Sequence, residues 1–288
     1  MSSVPGKSMR IEIESFSVAR LYLSAILRNS MHDTANPRRN HEPYGLLGLC
    51  VSVVVILCVA LILTAAIVAA AGLLASIVFG WHFVRGFLLD ATTPQQGEGT
   101  APLRLVLIIA LGAYVAVVGA IIAVARWRGG MDWQALVAWQ KTVWRMDDKL
   151  LWAIAATALV YSFAVTAALS YFYPQSDSWF TIPSDRIGRL LLFVLAVVLA
   201  PITEELMFRG WIYTSLRFSF GLWPAILVSA ALFGGAHYED THLYALAVFP
   251  VGIALAAIRE RTGSVKASML FHAVNNFIAF CAAALNIG

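Results

Sequence analysis

Charge is scarce in this sequence. Only 12% of its 288 residues are Asp, Glu, Lys or Arg, while 60% are hydrophobic. A typical soluble domain is about 25% charged. The mean hydropathy of +0.78 agrees with the composition of a protein that crosses a membrane several times. Cysteine is also sparse. Cys50, Cys58 and Cys281 all lie in apolar runs and their number is odd, which excludes a simple disulfide framework. The first 44 residues lack the early apolar core of a signal peptide, so they are expected to stay in the mature chain. There is no Gly-rich phosphate loop and no zinc-finger spacing. The net charge of +4 is therefore assigned to membrane-flanking loops, and no nucleic-acid partner is expected. No internal repeat is visible, which argues against the paired halves of a transporter.

What the sequence does contain is long apolar segments. They predict an all-α polytopic bundle of seven transmembrane spans, with eight as the alternative. The first segment runs from Tyr44 to Phe79 and is read as one helix or two short ones. The others are read at about 103–125, 151–172, 190–217, 222–238, 243–258 and 264–286. Residues 1–44 form an N-terminal region in which Phe16, Ala19, Leu23, Ile26 and Leu27 follow helical spacing, as in a helix lying on the membrane surface. Residues 45–185 form a set of N-terminal spans and loops, and 186–288 a core that carries the chemistry. With the N-terminus cytoplasmic and the first segment undivided, most of the 20 Lys and Arg fall on the cytoplasmic side. Splitting that segment reverses every later loop and spoils the asymmetry.

The fourth span carries an unusual load, "TEELMFRG". A charge at the bilayer centre costs about 2.5–3.5 kcal/mol on insertion scales, so Glu204, Glu205 and Arg209 need a reason to be there. Glu205 and Arg209 are four residues apart and can pair on one helix face. Glu204 projects roughly 100° away and is left available. Two more polar sets follow: "FGGAHY" in the fifth span, with Phe233 and His237, and "FHAVNN" in the seventh, with His272 and Asn276. A rise of about 1.5 Å per residue puts Glu204, His237, His272 and Asn276 at similar depths, so they can converge in one layer.

These groups suit peptide hydrolysis by water. Glu204 would serve as general base, with His237 positioning the water. His272 and Asn276 would hold the oxyanion of a tetrahedral intermediate. A zinc version uses the same residues, with Glu204, His237 and His272 as metal ligands and an open position for water. Other membrane proteases are excluded by what is missing. There is no credible Gly-x-Ser nucleophile with a His, no paired intramembrane Asp and no His-Glu-x-x-His motif.

The sequences "EELMFR", "FGGAH" and "HAVNN" resemble, in order, the EExxxR, FxxxH and HxxxN motifs of the CAAX-protease and bacteriocin-processing (Abi) family of intramembrane proteases. The resemblance covers Leu190 to Gly288. It implies an endopeptidase in which Glu204 is the base and His237 its partner on water. His272 and Asn276 are then the oxyanion or metal-side pair, and Glu205 and Arg209 a supporting pair. A metal-free glutamate protease is favoured, with zinc as the alternative. The implied partners are a lipid bilayer and a peptide or protein substrate, such as a prenylated C-terminus, a peptide leader or a membrane segment. Two other classes compete: an ion-coupled transporter, and a non-catalytic scaffold whose Glu–Arg pair and His–Asn patch serve only packing. Phe233 is read as packing; His82, His242 and Asn275 are read as interfacial or structural.

Overall fold

The computed structural model describes residues 45–82, 84–86, 100–144, 146–172, 182–238 and 243–285. The chain divides into Met1–Glu42 and Pro43–Gly288. The first unit, and with it the surface helix expected near Phe16 to Leu27, lies outside the described residues, as does His242. The second unit is helical, with no strand among its described residues. Its helices are α1 (Leu46–Phe79), α2 (Thr100–Gly129), the short α3 (Trp133–Leu136), α4 (Lys149–Phe172), α5 (Arg186–Phe220), α6 (Leu222–Gly235), α7 (Leu243–Thr262) and α8 (Val265–Ala284).

Six of these are long and apolar enough to cross a membrane, so the chain is a multi-pass membrane protein. The first apolar segment is one helix of 34 residues, in keeping with its undivided reading. The segment expected as the fifth span is shorter than expected. Its helix, α6, has 14 residues and reaches about 21 Å, against a hydrocarbon thickness of about 30 Å. It ends at the Gly234–Gly235 pair, where low helix propensity lets the chain turn.

The outer surface is apolar, as a lipid-facing surface must be. On α1, Leu47, Leu61, Leu73 and Ile77 are all well exposed. Inside, Leu49, Ile56, Ala120, Ile121, Leu206, Trp211 and Tyr213 form the main core. Polar ties cross this core. The Trp211 indole N–H on α5 donates to the Ser52 hydroxyl on α1 at 2.8 Å. Arg104 on α2 pairs with Asp185 at 2.8 Å. Asp185 also caps α5 by accepting the Gly188 N–H at 2.8 Å. At the opposite end of α5, the irregular stretch after α3 bonds to the α7–α8 corner: the Ser264 hydroxyl donates to the Gln140 carbonyl at 2.8 Å, and the Val265 N–H to the Ala138 carbonyl at 3.0 Å.

The helix α5 is one continuous rod that twice changes register. Stretches of π-helix at Val194–Leu199 and Leu206–Ile212 flank the α-helical turn Ala200–Glu205. Pro201 explains part of this. It has no N–H to donate and cannot complete a regular ladder. Such π insertions are frequent at functional sites because they re-aim side chains, and here they bracket the two glutamates.

Candidate active site

Glu204 and Glu205 leave α5 on different sides, as adjacent helical residues must. Glu205 is fully buried, as is Arg209. The Arg209 guanidinium donates to Glu205 Oε1 at 2.8 Å and to the Gly252 carbonyl on α7 at 2.9 Å. It also lies 4.2 Å over the Phe233 ring. A dry charge is tolerable only when paired and hydrogen-bonded, and Arg209 meets both conditions. The approach of α7 depends on Gly252, where a Cβ would sit 3.1 Å from Ala230 Cα on α6.

Glu204 faces a different set. Its Oε2 lies 3.8 Å from His237 Nε2 and 3.9 Å from His272 Nε2. That oxygen is buried and has no hydrogen-bond partner in the protein. Its Oε1 lies 3.5 Å from the Tyr114 hydroxyl of α2. The separations to the imidazoles are too long for direct hydrogen bonds and short enough for one water to bridge.

Both imidazoles are held from behind. His237 follows the end of α6, in the turn formed by Ala236 to Tyr238. Its Nδ1 bonds the Phe233 carbonyl at 2.8 Å, and its ring lies 4.7 Å from the Phe233 ring. Phe233 therefore does more than pack: it orients His237 and covers Arg209. His272 Nδ1 bonds Glu205 Oε1 at 3.1 Å. A carbonyl or carboxylate on Nδ1 requires that nitrogen to carry the proton, which turns Nε2 of both rings toward Glu204. Glu205 is thus shared between Arg209 and His272.

Asn276 is placed differently from the other expected site residues. Its Nδ2 donates to the Ala196 carbonyl on α5 at 2.9 Å. In the π register of that stretch, the natural donor to Ala196 is the N–H of residue 201, and residue 201 is Pro. Asn276 supplies the hydrogen bond that Pro201 cannot. One amide N–H of Asn276 is committed to that bond, leaving the other for a ligand.

Three participants escaped the sequence reading. Tyr114 lies on α2, a segment without any motif. Gly252 contributes through its backbone. Tyr244, whose ring lies 5.9 Å from that of His237, is the second residue of α7 and belongs to no motif.

For zinc, Glu204, His237 and His272 are the donor types that would hold it. Among the described residues no group of three His, Cys, Asp or Glu side chains is arranged to hold a metal ion.

Fold and site together define a class: a polytopic helical membrane protein with an acid–histidine cluster buried between its helices. Residues 186–278 match the family model described as type II CAAX prenyl endopeptidase Rce1-like. The match begins at the first residue of α5 and takes in both glutamates and both histidines. An uncharacterized 24.3 kDa protein of Escherichia coli is 29% identical over 126 residues, covering 42% of this chain and 58% of that protein. The chain thus spans little more than half the length of that relative. No solved structure matches.

Proposed function

We propose that this protein is an intramembrane endopeptidase that hydrolyses a peptide bond with water activated by Glu204. One observation carries the reading: a buried carboxylate oxygen without a protein partner lies 3.8 and 3.9 Å from two imidazole nitrogens. The Rce1-like match of residues 186–278 supports the same class of reaction.

In this mechanism a water held between Glu204 and His237 gives a proton to Glu204 Oε2. The resulting hydroxide attacks the carbonyl carbon of the scissile bond. The negative charge that develops on the carbonyl oxygen is met by the free N–H of Asn276 and by His272. His272 can donate through Nε2 only when doubly protonated, because Nδ1 already spends its proton on Glu205; the Glu205 carboxylate offsets the imidazolium charge. Glu204 then passes its proton to the leaving amine as the C–N bond breaks, and acid and amine products separate. No step requires a metal.

The substrate is a peptide or a membrane-associated protein segment, with a prenylated C-terminus as the first candidate. Residues 186–288 form the catalytic core and 45–185 a membrane scaffold around it. The N-terminus lies in the cytoplasm in this reading, which the Lys and Arg distribution supports. A tag at residue 1 is expected to be digested by protease only when the cytoplasmic face is accessible; digestion from the opposite face alone would reverse this orientation.

The test is cleavage of prenylated and unprenylated peptides by purified protein. Turnover is expected to persist in strong chelator, and Glu204→Gln is expected to lower kcat by about 10²–10⁴-fold. Loss of turnover in chelator, restored by zinc, would overturn the metal-free mechanism. Equal turnover by Glu204→Gln and wild type would remove Glu204 as the base.

A further inference from the structure

The matched domain begins at residue 186, yet one side chain beside Glu204 comes from well before it. Tyr114 stands midway along α2. Its hydroxyl donates to Glu204 Oε1 at 3.5 Å. Its carbonyl accepts from the Thr203 hydroxyl, the residue preceding Glu204, also at 3.5 Å. One residue of α2 therefore meets two consecutive residues of α5, by side chain and by backbone, in the α-helical turn between the two π stretches. Thr203 is buried and Glu204 half-buried, so this contact lies within the bundle and not at its rim.

The two carboxylate oxygens of Glu204 are thereby made unequal. Tyr114 occupies Oε1, while Oε2 has no partner and faces His237 and His272. A glutamate side chain has three rotatable torsions, and the last is broad. Without a second contact the carboxylate would turn freely about that torsion, and neither oxygen would be the settled acceptor of a proton. A phenol is well suited to restrain it. Its ring is rigid, its hydroxyl is a donor, and at neutral pH it carries no charge to pair with the carboxylate.

We propose that Tyr114 is a positioning residue for Glu204, contributed by the N-terminal spans, which holds Oε1 so that Oε2 is the oxygen directed at water and the two imidazoles. This rests on the reading of Glu204 as the base. It also gives the N-terminal spans a part in the chemistry, because the matched domain by itself lacks this contact.

The test compares wild type, Tyr114→Phe and Glu204→Gln in steady-state cleavage of one peptide, with thermal unfolding of each protein in the same detergent. Tyr114→Phe removes only the hydroxyl and keeps the ring and the Thr203 contact. It is expected to lower kcat roughly 10- to 100-fold, with KM and unfolding temperature unchanged. A merely structural tyrosine would instead lower the unfolding temperature, or change KM and kcat together. Wild-type kcat in Tyr114→Phe, alongside an inactive Glu204→Gln, would overturn the positioning role and leave the protease reading standing. Undiminished cleavage by Glu204→Gln would overturn both.

Discussion

At the residue scale the site depends on what each carboxylate faces. Glu205 Oε1 is shared by a guanidinium and an imidazole, while the unpartnered Oε2 of Glu204 is turned toward two imidazole Nε2 atoms. The buried pair of Glu205 and Arg209 predicts a lopsided mutational result. Arg209→Met leaves a carboxylate in a dry interior and is expected to destabilise the fold by about 3–5 kcal/mol. Glu205→Gln combined with Arg209→Met removes both charges and is expected to recover much of that loss. Activity is not recovered, because His272 no longer has a carboxylate on Nδ1. Thermal unfolding and peptide cleavage of the two variants separate the effects; equal unfolding temperatures for the single and double variants would refute the argument.

At the element scale the informative feature is the broken register of α5. Pro201 removes a backbone donor, and Asn276 of α8 replaces it at the Ala196 carbonyl. Asn276→Ala is therefore expected to destabilise by about 1–3 kcal/mol, the cost of a buried acceptor without a partner. Adding Pro201→Ala restores an N–H to the ladder, so the double variant is expected to unfold at a higher temperature than Asn276→Ala alone. Cleavage tells a different story: if the second amide N–H serves the oxyanion, kcat stays low in the double variant. A double variant no more stable than Asn276→Ala would show that Pro201 is not what Asn276 compensates.

At the scale of the whole molecule, carboxylates outside the membrane-spanning segments tie helices together. The Gly188 N–H, helped by Arg104, holds the Asp185 carboxyl below the usual carboxylate range, against the upward push of burial. At Asp148, burial pushes upward, but the Leu151 N–H and the bidentate Arg261 at 2.7–2.9 Å overcome it. A group whose value is lowered by folding stabilises the folded state above the unfolded value, about 3.9 for Asp. That contribution disappears as pH falls through the lower folded value. Unfolding temperature is thus expected to be level from about pH 7 to 5 and to decline below about pH 4. Asp185→Asn is expected to show a shallower decline over that acid range, and an unchanged profile would remove Asp185 from this role.

Much of this protein was legible in its residues because its solvent is hydrocarbon. Long apolar runs such as Leu46–Phe79 had to become helices, since lipid offers a backbone no hydrogen bonds. Charge was too costly there to be casual, which singled out Glu204, Glu205 and Arg209. Four-residue spacing then anticipated the Glu205–Arg209 contact, and equal depth anticipated the meeting of Glu204 with His237 and His272. Other features were decided only by packing. The turn that carries His237 lies beyond a helix shorter than its apolar run, because a Gly pair ends that helix. The shared position of Glu205, the diversion of Asn276 to Ala196 and the arrival of Tyr114 each depend on contacts between helices 67 to 90 residues apart along the chain. Helical periodicity reports which face a residue occupies, because that is a property of one helix; which helix lies opposite that face is a property of the bundle, and only the tertiary structure contains it.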